Sequence, residues 1–206
     1  MTAIIDYDAG NLKSVEKALV ALGDHPVITR DKDVLLQADR VILPGVGAFA
    51  DAMEKLRQYQ LCDVIHEIVE QGTPFLGICL GLQLLFEQSE EGEGVEGLSL
   101  LPGEIVRIPD KLGIKVPHMG WNSLSISSQS RLFQGIEEGS YVYFVHSYYC
   151  RAAREDDVAA CTEYGVHIHA AVERKNLFAC QFHPEKSGDV GLKILSNFLK
   201  MDRKEE

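Results

Sequence analysis

The chain has 206 residues, a formal charge of −11 and a pI near 5.1, a balance that speaks against nucleic acid or an anionic membrane as its main partner. No apolar run approaches the length a bilayer span requires, so no membrane is expected; the length suits one α/β domain, residues 1–206, around a sizeable core. The five cysteines are odd in number and form no C-x-x-C pair, and no basic stretch precedes the first apolar run, so reduced thiols in a cytoplasmic protein without a secretory signal are expected.

Taken in order, Ala3 to Asp6 reads as a short apolar strand, and Tyr7-Asp8-Ala9-Gly10-Asn11 as a turn into a helix. On that helix Leu12, Val15, Leu19 and Leu22 keep a period near 3.6 until Gly23 stops it. Pro26 to Thr29 predicts a second strand, Asp33 to Ala38 a short helix, and Arg40 to Leu43 a third strand that runs into Pro44-Gly45-Val46-Gly47. Helical patterns follow over Ala48 to Leu56 and Cys62 to Val69. Phe75 to Ile78, set off by a Gly-Thr-Pro turn, reads as a buried strand, and Leu80, Leu84 and Leu85 predict a helix directly behind it. This alternation calls for a parallel sheet covered on both faces, with ligands at the carboxyl ends of its strands. Pro44–Gly47 and Cys79 both lie at such ends.

Ser89 to Gly97 is acidic and glycine-rich, hence a solvated loop. Beyond it Glu104–Ile108, Tyr141–Tyr149, Val158–Cys161, Ile168–Arg174 and Phe178–Phe182 read as strands with few helices between them. An antiparallel extension of the sheet, or a second small sheet, is expected there. A helix over Val190 to Leu199 turns Ile194, Leu195, Phe198 and Leu199 inward, and Lys200 to Glu206 is a charged tail expected to fray.

Gly77-Ile78-Cys79-Leu80-Gly81 is a G-x-nucleophile-x-G pattern with cysteine at its centre, between a strand and a helix. So sharp a turn needs residues without a β-carbon on both sides and holds the central side chain in a strained, exposed position. The helix behind it points its N-terminus at the sulfur, which favours thiolate. A nucleophilic cysteine needs a base and an orienting acid, and Gln181-Phe182-His183-Pro184-Glu185 supplies both. His183 would take the thiol proton; Glu185, two residues on along an extended segment, would accept from the imidazole and fix its tautomer. Read alone, Cys79 is a structural cysteine between packing glycines and His183 a strand-end histidine; together they make an acyl-transfer site. The oxyanion would meet the backbone N–H of Leu80 and a second amide from Pro44-Gly45-Val46-Gly47, at Val46 or Gly47. Gln83, one helical turn past Cys79, could reach a substrate's polar end. His167-x-His169 lacks a third ligand nearby, so no metal site is expected.

Pro74-x-Leu76-Gly77-Ile78-Cys79-Leu80-Gly81-x-Gln83 with His183-Pro184-Glu185 downstream resembles the class I (triad) glutamine amidotransferases, over nearly the whole chain. The resemblance implies a flavodoxin-like α/β fold, no cofactor, and hydrolysis of the side-chain amide of L-glutamine through a γ-glutamyl thioester on Cys79. Asp6-Tyr7-x-x-Gly10-Asn11-Leu12-x-Ser14-Val15, Pro117-His118-Met119-Gly120-Trp121-Asn122 and Tyr143-Phe144-x-His146-Ser147-Tyr148-Tyr149 are similar to the branch of that family that serves histidine biosynthesis. Asp8 and Ala9 stand where many relatives carry glycine and another small or apolar residue. The similarity implies a separate (βα)8-barrel cyclase subunit, through which ammonia would reach a phosphoribosyl-formimino intermediate. By matching positions, Gly47, Gln83, His146, Ser147 and Tyr148 would hold glutamine, and Met119, Trp121 and Asn122 would lie at the subunit interface.

Two rivals come from other readings of the same residues. A stand-alone Cys-His-Glu hydrolase of γ-glutamyl peptides would need no partner, and an idle docking module would need no triad. Subunits for anthranilate, GMP or vitamin B6 synthesis share the triad but are not expected to carry Pro-His-Met-Gly-Trp-Asn.

Overall fold

The computed structural model describes residues 1–111 and 113–202; the expected fraying at 203–206 falls outside them. The elements run β1 (Thr2–Ile5), α1 (Leu12–Ala21), β2 (Val27–Thr29), α2 (Lys32–Leu36), β3 (Arg40–Gly45), α3 (Phe49–Gln58), α4 (Leu61–Glu70), β4 (Phe75–Cys79) and α5 (Leu80–Gln83). Then come β5 (Gln88–Ser89), β6 (Gly103–Arg107), β7 (His118–Ser123), β8 (Ser125–Ile126), β9 (Tyr141–His146), β10 (Tyr148–Ala152), β11 (Val158–Glu163), β12 (His167–Arg174), β13 (Leu177–Cys180) and α6 (Gly188–Phe198). The main sheet is ordered β2-β1-β3-β4-β13-β12-β10-β6-β5, with β11 alongside β12. From β2 to β13 every pairing is parallel; β13, β12, β10 and β6 continue antiparallel.

Both faces of the parallel part are buried, and alternate residues supply them. Ala3, Ile5, Val41, Leu43 and Phe75 pack with Phe49, Leu56, Ile65 and Ile68 from α3 and α4. Ile4, Ile42, Leu76 and Ile78 pack on the other face with Val15, Leu19, Ile194, Leu195 and Phe198 from α1 and α6. A fully buried side chain of this size contributes about 1.5–3 kcal/mol, which is why strands apolar on both sides must lie at the centre. No helix among the described residues is long and apolar enough to cross a membrane.

Two expectations need correction. The helix behind Cys79 is a single turn. Its next carbonyls are taken from outside: Leu98 N–H donates to Leu84 O at 2.8 Å, Leu100 N–H to Leu85 O at 2.9 Å and Gly97 N–H to Glu87 O at 2.9 Å. Leu84 and Leu85 are buried as predicted, but one turn carries little of a helix macrodipole. Tyr141–Tyr149 is likewise two strands that part at Ser147: β9 pairs β7 in a separate two-stranded sheet, and β10 joins the main one. The expected extension and the expected small sheet therefore both exist.

Candidate active site

The turn at Cys79 follows from what surrounds it. Cys79 has φ 56° and ψ −109°, a conformation that costs a non-glycine residue energy and persists only where packing imposes it. The packing is tight. A β-carbon on Gly81 would lie 1.8 Å from the carbonyl oxygen of Leu43 in β3, and one on Gly77 would lie 2.7 Å from Gly81 O. Gly45 pairs directly with Cys79 across β3 and β4, and a β-carbon there would meet the Tyr7 hydroxyl at 2.5 Å. Tyr7 Oη donates to Pro44 O at 2.8 Å, so the carboxyl end of β3 is fixed up to Gly45. Gly47 follows at φ +106° with open space where a β-carbon would be. Packing thus leaves conformational freedom only at Val46 and Gly47, the two positions expected to offer the second oxyanion amide.

A cavity of about 330 Å³ opens here, and Val46, Gly47, Cys79, Leu80, Gln83 and His183 contribute to its lining together with His146, Ser147 and Tyr148. A larger one, about 590 Å³, lies between Arg131, Lys193 and Asp202, with no cysteine, serine or histidine in its lining. Residues distant in sequence thus meet in the first cavity. His183 Nδ1 lies 2.9 Å from Glu185 Oε1, with both side chains almost fully buried. A carboxylate accepts, so Nδ1 carries the hydrogen and Nε2 keeps its lone pair for a proton. Nε2 is buried without a conventional hydrogen bond, yet it feels the sulfur. Burial alone would lower the His183 pKa; interaction with Cys79 and then with Glu185 overrides it and raises the value to about 9. His183 is thus a strong base toward the thiol proton.

His146 lines the cavity but its ring is spent elsewhere. Nδ1 lies 2.8 Å from Tyr148 O and Nε2 lies 2.9 Å from His118 Nδ1. A carbonyl only accepts, so His146 is protonated on Nδ1, accepts on Nε2, and His118 donates. Burial pushes His118 down to about 4, and burial together with the charges of His118 and His183 pushes His146 down to about 3 against the Tyr148 carbonyl. These folded values lie below the ordinary 6.5. Above pH 6.5 neither state holds the protons; as pH falls from there toward 4, the unfolded chain takes up protons the folded chain refuses, and stability falls. The denaturant midpoint is therefore expected to drop between pH 6.5 and 5, and His118→Gln should flatten that slope; an unaltered slope would show that these imidazoles are not held neutral.

Of the positions expected at an interface, Met119 and Trp121 are 62% and 55% exposed. They share one face of the β7–β9 sheet with Tyr143, opposite Trp121, and with Tyr141, itself 58% exposed. Asn122 alternates to the other face, where Nδ2 donates to Glu163 O at 2.9 Å and approaches His118 Nε2 at 3.5 Å. β9 is joined to the His183 segment by its backbone: His183 N–H donates to Tyr143 O at 2.9 Å, and Tyr143 N–H to Ser187 Oγ at 2.9 Å. His167 pairs with Glu163, and His169 Nδ1 accepts from Ala152 N–H at 3.2 Å.

Sequence reasoning missed Tyr7, Glu91, Pro117, Val145 and Gln181. The acidic composition around Glu91 predicts a solvated loop, but its Oε2 accepts from Phe49 N–H at 2.8 Å, supplying the cap that Ala48 cannot give α3, and it borders the cavity. Nothing local marks that role. Asp8, at φ 62°, accepts from Arg30 at 2.5 Å and from the Tyr59 hydroxyl, which anchors a residue in a backbone region that glycine occupies more easily.

The family model for class-I glutamine amidotransferases matches residues 3–201. The chain is 54% identical over 201 residues to imidazole glycerol phosphate synthase subunit HisH of Moorella thermoacetica, covering 98% of this chain and 95% of that one. It is 49% identical to the protein of the same name from Methanocaldococcus jannaschii, covering 98% and 100%. Among solved structures, PurLQS from Thermotoga maritima superposes with a TM-score of 0.75 at 21% identity, over 96% of each chain, a likeness of fold.

Proposed function

This chain belongs to the class-I glutamine amidotransferases, and from that membership and its site we propose that it is the glutaminase subunit of imidazole glycerol phosphate synthase in histidine biosynthesis. It hydrolyses L-glutamine to glutamate and passes the ammonia to a (βα)8-barrel cyclase subunit. The observation that carries the reading is Cys79, held at φ 56° in a cavity with a histidine whose other nitrogen is fixed on a buried glutamate. Identity of 54% and 49% to HisH relatives, over nearly their whole length, selects this branch over its siblings. Residues 1–206 work as one domain in the cytoplasm.

In this reading the Cys79 proton passes to His183 Nε2 and the sulfur attacks the side-chain carbonyl carbon of glutamine. The oxyanion is met by the Leu80 N–H and by an amide at Val46 or Gly47, the part of the β3 turn that packing leaves free to swing. His183 then protonates the departing nitrogen, ammonia leaves, and water cleaves the γ-glutamyl thioester with His183 as base. Gln83 Oε1, which takes no part in its Nε2 bonds, accepts from the amino-acid end of the substrate. Ser147, Tyr148 and His146 wall the cavity. The His146 ring positions that wall and does not bind glutamine.

Met119, Trp121, Tyr141 and Tyr143 form the apolar face that the barrel covers, with Trp121 as its anchor; buried aromatics carry a large share of interface energy. Asn122 supports that face from behind. The test is one assay of the chain with its barrel partner, following glutamate and imidazole product together. Glutamate release is expected to be slow without the partner and coupled to product with it. Trp121→Ala should weaken association at least tenfold, typical of a hot-spot truncation, with hydrolysis kept in whatever complex forms. Equal glutaminase rates with and without the partner would instead favour a stand-alone hydrolase.

A further inference from the structure

The sulfur of Cys79 has a second polar neighbour that neither the motif nor the triad uses. Gln181, immediately after β13, is completely buried, and its Nε2 lies 3.7 Å from Cys79 Sγ. We propose that the Gln181 carboxamide donates a hydrogen bond to this sulfur and holds it as the thiolate, making Gln181 a further determinant of the site's reactivity.

The orientation of the amide is forced by its neighbours. Tyr148 O is a carbonyl and only accepts; the group 3.0 Å from it on Gln83 must therefore be the Gln83 NH2. That same nitrogen lies 3.1 Å from Gln181 Oε1, so the Gln181 oxygen faces Gln83 and its NH2 faces the sulfur. Reversing Gln181 would set two NH2 groups against each other and turn an oxygen lone pair toward a thiolate. The anchor of the chain is itself secured, since Tyr148 O also accepts from His146 Nδ1–H. Its backbone is pinned as well, with Gln181 N–H donating to Ala170 O at 2.8 Å. A buried, fully committed carboxamide cannot turn its donor away from the sulfur without losing these bonds.

Donation to the charged form of an acid favours ionisation, and a charged acceptor makes the bond roughly twice as strong as a neutral one. Two contacts divide the states of the sulfur. Val145 O lies 3.9 Å away and serves only the S–H form; Gln181 serves the thiolate. The other ionisable groups around the sulfur are His183, Tyr7 and Cys180, with Glu185 and His146 behind His183. Burial, reinforced by the Cys79 charge, raises both Tyr7 and Cys180, the latter also through Glu185, so neither loses its proton near neutral pH. Neither group therefore competes with His183 Nε2 for the proton of the sulfur.

This inference rests on Cys79 as the nucleophile, and its test separates the two. The full-length chain is alkylated with iodoacetamide across pH 5–9, and modification of the Cys79 peptide alone is followed by mass spectrometry. Gln181→Met keeps length and volume but removes the donor; the alkylation midpoint is expected to rise by about one pH unit, the size of a lost hydrogen bond to an anion. A structural role would alter folding without moving that midpoint. Coincident curves for the native chain and Gln181→Met overturn the inference and leave the nucleophile in place. A native Cys79 that stays unmodified across the whole range removes the nucleophile assignment and the inference together. If Gln181→Met fails to fold, the native chain decides: its Gln181 carboxamide resonances, in 15N-glutamine-labelled protein, are expected to shift over the pH range in which Cys79 becomes reactive, and to stop doing so in Cys79→Ala. Resonances that ignore pH overturn it.

Discussion

Cys79→Ala in complex with the barrel partner is expected to lose all glutamine-driven product formation and to keep the reaction driven by added ammonium salt. Removing the sulfur deletes the only atom in the cavity able to form the γ-glutamyl thioester, and members of a nucleophile–base unit do not substitute for one another, so the glutamine reaction should fall by several orders of magnitude. In the proposed division of labour the cyclisation chemistry belongs to the other subunit, which takes free NH3 as its nitrogen source. Raising the pH should increase the rescued rate, because the NH3 fraction grows toward the ammonium pKa. The fold should survive: alanine takes up the Cys79 backbone at a comparable cost, and the glycines that make the turn are untouched. Following glutamate and imidazole product in one assay reads both halves. A complex that assembles normally yet fails with ammonia as well would mean that Cys79 also serves the second reaction, and the division of labour would be wrong.

The second large effect is on stability. Gly81→Ala places a methyl group 1.8 Å from Leu43 O and 2.9 Å from its carbonyl carbon. Backbone atoms at the centre of a parallel sheet cannot rotate aside as a side chain can, so α5 must lift away from β3 and the core residues Leu80, Leu82 and Leu84 must shift with it. Overpacking a rigid interior costs about 1–3 kcal/mol and sometimes more; here the upper end is expected, a fall in Tm of roughly 6–12 °C for a chain of this length. Gly92→Ala is the control. Its β-carbon would meet nothing closer than 3.3 Å, at the edge of the Phe49 ring, and its Tm should change by a degree or two. A Gly81→Ala protein with native Tm and native glutaminase activity would show that the turn tolerates a wider separation than this packing allows.

The sequence by itself carried the parallel half of the sheet, because strands buried on both faces read as unbroken apolar runs and the helices between them keep a 3.6-residue period. It also carried the chemistry of the site: a cysteine between two glycines that admit no β-carbon, and a histidine two residues from a glutamate, are local patterns with local reasons. What it could not carry was decided by partners far along the chain. The helix after Cys79 stops at one turn because N–H groups from residues 97–100 take its carbonyls. The run from Tyr141 to Tyr149 divides at Ser147 because two different sheets compete for its halves, which an alternating pattern cannot register. β7 is a strand despite Gly120 and Asn122, since β9 offers it a ladder over its whole length. Asn122 turns away from the exposed face through simple alternation with Trp121, a fact available only once the strand is known. His146, Glu91 and Gln181 took their roles from hydrogen bonds to His118, Phe49 and Cys79, each more than 25 residues away. A side chain's chemistry is written in its residue type, but the atoms that accept or donate to it are chosen by the packing of the folded chain.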